Sequence, residues 1–86
     1  YRPDAVIIKE REIIFVEIET DQRRMLRKLK KIGKLMDKIL RSPILTGRRL
    51  RIVFGLTEEN VREDVISEAK KLNAEIYTIL PGRILK

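Results

Sequence analysis

The chain contains no cysteine, no histidine and no tryptophan. Without cysteine there is no disulfide, no thiolate zinc site and no cysteine nucleophile, and without histidine every triad built on an imidazole base is excluded. Any catalysis must therefore run on carboxylates, lysine and a metal ion. No apolar run approaches the ~18 residues that span a bilayer and no signal-like segment opens the chain, so an intracellular protein with no membrane partner is expected. Eighty-six residues make one small domain, 1–86, with a single modest core. The chain opens on Tyr1 rather than methionine, so upstream residues are expected to be missing from it.

What is abundant is charge. Asp, Glu, Lys and Arg make up 38% of the residues, with few thermolabile types, a composition that points to a thermophilic source. The net charge of +7 is unevenly placed. Arg23, Arg24, Arg27, Lys28, Lys30, Lys31, Lys34, Lys38 and Arg41 face only Asp21 and Asp37 between residues 21 and 42, so this one segment carries the whole excess and the rest of the chain is balanced. Such a segment favours an anionic partner, above all nucleic acid. Tyr1, Phe15, Phe54 and Tyr77 all lie outside it, so stacking on single-stranded bases is poorly served and phosphate contacts would dominate.

Hydrophobic periodicity divides the chain into alternating elements. Residues 5–8 and 13–16 are short, mostly β-branched runs separated by Lys9-Glu10-Arg11-Glu12, the pattern of two antiparallel strands and a tight turn. Residues 21–41 form the main helix, with Met25, Leu29, Ile32, Met36 and Ile39 recurring at steps of four and three. Thr20 or Asp21 caps its start and Ser42-Pro43 ends it. Gly33, at mid-helix, costs about 1 kcal/mol against alanine and implies a close approach to the sheet. After a loop at 44–48, residues 49–56 read as a strand covered on both sides. A second helix is expected to begin at Thr57-Glu58-Glu59-Asn60, to bury Val61, Val65, Ala69 and Leu72, and to stop at Asn73. A strand over 75–80, a Pro81-Gly82 turn and a short tail at 83–86 complete the order β-β-α-β-α-β. Right-handed crossovers then give an α/β layer structure on a mixed four-stranded sheet.

The first twenty residues carry the chemistry. With the turn centred on Glu10 and Arg11, Asp4 lies directly opposite Glu17 with β-carbons about 5 Å apart, and Glu19 follows on the same face. Like charges so placed destabilise a sheet unless something neutralises them, and a hard divalent cation such as Mg²⁺ does so through a few carboxylates while keeping waters for reaction. The plainer alternative makes Glu17 and Glu19 the solvent face of an amphipathic strand whose Ile14, Val16 and Ile18 face the core. That alternative explains the alternation but not the placing of Asp4, just after Pro3, opposite Glu17.

Pro3-Asp4 at one strand start, Glu17-Ile18-Glu19 on the next and a helix directly after resemble the PD-(D/E)XK, or restriction-endonuclease-like, nuclease superfamily. The element order is similar to that superfamily's core without its leading helix. Arg2-Pro3-Asp4, Val16-Glu17-Ile18-Glu19-Thr20 and a basic helix are also similar to small nuclease-like proteins of microbial plasmids and viruses, including the replication-relaxation type. The resemblance implies Mg²⁺-dependent (or Mn²⁺-dependent) phosphodiester cleavage of DNA, with Asp4 and Glu17 as metal ligands. It also implies that homodimers form where both strands are cut. The superfamily's usual lysine is replaced here by Glu19, and other members supply the basic group from the following helix. Lys31 is the choice by position, with Lys30, Lys34 and Arg27 close behind, the alternative being a solvated helix face for each of them. Arg23, Arg24, Arg27, Lys30 and Lys34 would contact DNA. A non-catalytic DNA-binding module on the same fold is the competing expectation, and a structural or oligomerisation domain the third.

Overall fold

A computed structural model describes residues 1–79. In chain order it contains β1 (Ala5–Ile8), β2 (Glu12–Glu19), α1 (Gln22–Leu40), a short 3-10 turn (Pro43–Leu45), β3 (Arg49–Leu56), α2 (Glu63–Lys71) and β4 (Glu75–Thr78). The expected Pro81-Gly82 turn and the tail at 83–86 lie outside the described residues, as does residue 80 of the strand expected at 75–80, which ends at Thr78.

The four strands form one mixed sheet in the order β1-β2-β3-β4. β1 and β2 are antiparallel, with Ala5 opposite Val16 and Ile8 opposite Ile13, the register that a turn at Glu10 and Arg11 dictates. β2 and β3 run parallel, as do β3 and β4, so each of these pairs is joined by a helix. Both crossovers step in the same direction across the sheet, and right-handed connections then place both helices on the same face. Met25, Leu29 and Ile32 of α1 and Val65 and Ala69 of α2 accordingly share one core with Ile52, Phe54 and Leu56 of β3.

β3 is thus covered by helices on one side rather than on both. Its other side, with Val53 and Gly55, is shielded by neighbouring strands' side chains; a β-carbon on Gly55 would come within 2.9 Å of Ile18 Cδ1. Gly33 faces α2 and not the sheet, since a β-carbon there would meet Leu72 Cδ2 at 3.6 Å. Asn73 closes α2 in the left-handed region, with φ of 54°.

The start of α2 differs from the expectation at Thr57. The helix begins at Glu63 with Arg62 as its cap residue, and residues 57–62 form a connection. Three hydrogen bonds to Gln22 hold that connection in place. The Gln22 backbone N–H donates to Glu58 Oε1 at 2.9 Å, so the acid that resembles a first-turn residue of α2 serves the start of α1 instead. The buried Gln22 side chain donates to Asn60 O and accepts from Arg62 N, both at 2.7 Å. Asp21 caps α1 through Arg23 N at 2.7 Å.

Candidate active site

The parity of β2 decides where its acids point. Glu17 pairs in register with Phe54, whose side chain is in the core, so Glu17 and Glu19 face the helices and not solvent. Glu17 is 1% exposed and Glu19 8%, whereas Ile18, assigned to the core in the plainer alternative, is 48% exposed. That alternative fails on its own geometry. Two carboxylates are buried on the helix-covered face at the end of β2, and such groups require charged or hydrogen-bonding partners.

Those partners come from β1, from residue 1 and from α1. Asp4 sits opposite Glu17 and is fixed by its backbone: Ile18 N donates to Asp4 Oδ2 at 2.8 Å, while Asp4 N donates to Glu17 Oε1 at 3.3 Å. Lys28 of α1 reaches into the cluster, its Nζ lying 2.5 Å from Glu19 Oε1, 3.3 Å from Glu17 Oε1 and 3.9 Å from Asp4 Oδ2. The Tyr1 hydroxyl donates to the other oxygen of Glu17, Oε2, and its ring packs on Phe15 with centroids 5.9 Å apart. Among the described residues no buried side-chain polar atom lacks a hydrogen-bond partner.

The electrostatics follow from these contacts. The Ile18 N–H, aided by the Lys28 charge, holds the Asp4 carboxyl below its ordinary pKa. Burial works against the charge on Lys28, but the hydrogen bond to Glu19 and the charges of Glu17 and Glu19 more than offset it, and its pKa is raised. Burial first, and the bond to Glu17 second, push the Tyr1 phenol up.

The structure thus brings Asp4, Glu17 and Glu19 together and adds Lys28. Lys31 is exposed, about 4.5 Å further along the helix axis, and forms no ion pair among the described residues. The signal for Lys28 was in the sequence. It lies three residues after Met25 and four before Ile32, on the flank of the buried stripe, and helical side chains lean toward the helix N-terminus, back over the end of β2.

Arg23, Arg24, Arg27, Lys30, Lys31, Lys34, Lys38 and Arg41 are all exposed. None of them is in an ion pair among the described residues. At the helical period they fall within an arc of about 120° facing away from the sheet, along about 27 Å of α1. Arg24 and Lys31 are one turn either side of Lys28 and connect this stripe to the acids.

Mg²⁺ takes hard oxygen donors and needs only one or two carboxylates because it keeps waters. Asp4 and Glu17 fit that requirement: they are adjacent and both already face a single cation, the Lys28 ammonium. Among the described residues no group of three or more acids is spaced to hold a metal. Among the same residues no helix is long and apolar enough to cross a membrane. No protein-family model, curated protein or solved structure matches the chain.

Proposed function

We propose that the chain is a divalent-metal-dependent DNA endonuclease domain on a restriction-endonuclease-like core, hydrolysing phosphodiester bonds. The observation that carries this reading is the convergence of Asp4, Glu17, Glu19 and Lys28 at the end of the hairpin, beside a helix whose outward face is lined with exposed basic side chains. Asp4 and Glu17 would hold Mg²⁺ or Mn²⁺, which would supply an activated water and offset charge on the phosphate. Lys28 is the basic group that the motif's Glu19 does not provide, and Glu19 fixes it at 2.5 Å. In this reading the ammonium would orient the attacking water and face a phosphoryl oxygen. Arg24 and Lys31 guide the phosphate backbone from the stripe toward the acids. Cutting both strands of a duplex takes two such sites, so the active form in this reading is a homodimer.

Incubation of plasmid or duplex oligonucleotide with Mg²⁺ or Mn²⁺ should give cleavage that Asp4→Asn or Glu17→Gln abolishes. Retention of DNA with no cleavage under any divalent ion would overturn the enzymatic reading.

One observation favours a second reading. Lys28 already neutralises the acids, so their crowding alone does not demand a metal. The domain would then be a non-catalytic DNA-binding module with a structural ion cluster. In that case Glu17→Gln leaves DNA affinity unchanged or raises it, while charge reversal at Arg23, Arg24 and Arg27 weakens binding and lowers the salt slope by about 1 per lost contact.

A further inference from the structure

β1 is an edge of the sheet, and its sequence leaves that edge open. Ala5-Val6-Ile7-Ile8 holds no charge, no proline and no bulge, the devices by which sheets blunt a free edge. Val6, Ile7 and Ile8 are 44%, 45% and 55% exposed. Lys9 N donates to Glu12 O at 2.8 Å, so the odd residues of β1 turn their backbone groups to β2, and Val6 and Ile8 turn theirs outward. The apolar surface continues on the helix-covered side. Phe15, paired there with Val6, lines a depression of about 250 Å³ together with Leu35, Ile39 and Ile44.

We propose that a second copy of this chain pairs with β1, antiparallel and centred on Ile7, to form a two-fold dimer with one continuous sheet. An axis perpendicular to the sheet sets Val6 opposite the second copy's Ile8, and Ile7 opposite its own counterpart. The outward N–H and C=O groups of Val6 and Ile8 in both copies then match one another in backbone hydrogen bonds, with none left over. Val6 and Ile8 meet on the helix-covered side and the two Ile7 side chains on the open side, so both rows of contacts are apolar. About ten residues a side take part, under half of the ~20–30 in a standard interface, which makes the association weak and reversible. Each copy also carries a charge of +7, so repulsion opposes pairing and added salt favours it. The axis keeps the helices of both copies on one side of the sheet, and both α1 stripes face the same way, where one duplex can meet both. The homodimer of the proposed function thereby gains a surface, while the pairing itself rests on β1 and not on a metal or on cleavage.

Sedimentation equilibrium of the full chain without DNA, from about 20 µM to about 1 mM, tests this. The expected dissociation constant is on the order of 100 µM, with a mass that rises from one chain toward two and rises further in added salt. Amide exchange on the same samples reads the surface. Val6 and Ile8 should exchange about fourfold more slowly at the high concentration than at the low one, and Ile7, already bonded to β2, should not change. Ile7→Lys puts two ammonium groups face to face on the axis and should hold the mass at one chain throughout. Ile18→Lys, of similar exposure on the open face but one strand in from the edge, should leave the dimer intact. A chain that stays single at about 1 mM in high salt overturns the pairing, as does a mass that climbs past two chains. So do dimers that Ile18→Lys dissociates and Ile7→Lys does not, or that leave exchange at Val6 and Ile8 unchanged. None of these outcomes bears on metal binding or cleavage, which stand or fall by their own assay.

Discussion

Two clusters built from the same parts lie on opposite faces of the sheet. On the helix-covered face, Glu17 meets a tyrosine hydroxyl and a lysine, with Asp4 and Glu19 alongside. On the open face, Glu75 meets the Tyr77 hydroxyl at 2.8 Å and Arg51 through both carboxylate oxygens, at 2.5 and 2.8 Å. The open-face cluster is balanced: one fork of donors matches one carboxylate, and all three side chains remain in contact with solvent. The covered cluster is unbalanced, with three carboxylates gathered around one ammonium and two of them buried. A matched, solvated pair contributes little and invites no ligand. A surplus of buried carboxylates is stable only with its cation in place, here the Lys28 ammonium.

The largest expected effect comes from removing that cation. Lys28→Met leaves Glu17 and Glu19 buried without their cation, and breaking a buried pair in this way costs roughly 3–5 kcal/mol. Denaturant titration at neutral pH should show the loss, and Mg²⁺ at a hundred times its dissociation constant should return about 2.7 kcal/mol of it. If Lys28→Met were no more costly than Arg51→Met, the contrast between the two clusters would collapse.

A smaller effect sharpens the other side. Hydrogen bonds from Arg51 first, and Tyr77 second, lower the Glu75 carboxyl from 4.5 to about 2. A depressed carboxyl contributes stability that is fully present above its unfolded pKa and is lost as pH falls through its folded one. The parent should therefore lose this contribution between about pH 4.5 and 2, and Glu75→Gln should show a shallower decline across that window in a urea-midpoint series. Smallest of all is Tyr77→Phe, which leaves the Arg51 fork in place and should change stability by no more than about 0.5 kcal/mol by thermal denaturation. A larger loss would mean that the hydroxyl, and not the Arg51 fork alone, holds the open-face cluster.

Much of the hairpin and of α1 was legible in the sequence because local rules set it. A two-residue turn at Glu10 and Arg11 fixes the pairing, and with it the place of Asp4 opposite Glu17. Period-two alternation tells which residues share a face but not which face the helices cover. Here both faces of β2 carry apolar residues, Ile13 and Phe15 on one and Ile14, Val16 and Ile18 on the other, so the environment of Glu17 followed only from the handedness of the crossovers. The start of α2 was misplaced because a helix-start signal was used by another helix: Glu58 binds Gln22 N, and Gln22 in turn holds the connection at Asn60 and Arg62. Pattern alone puts Lys31 forward and gives Lys28 no role, because which helix cation reaches the acids depends on how α1 is rotated over the end of β2.

β3 lies at the centre of the sheet, between β2 and β4, and contributes no group to the acid cluster or to the basic stripe. Every side chain in the proposed chemistry precedes residue 42, on a hairpin and one helix. A two-stranded hairpin is marginal at best alone in water, and a helix such as α1 draws most of its stability from packing. Cooperativity therefore divides the labour along the chain: the second half, through Ile52, Phe54, Leu56 and Val65, turns an otherwise marginal first half into a rigid frame. A core substitution such as Phe54→Ala would then disable Asp4, Glu17 and Lys28 together, at a distance and without touching any of them.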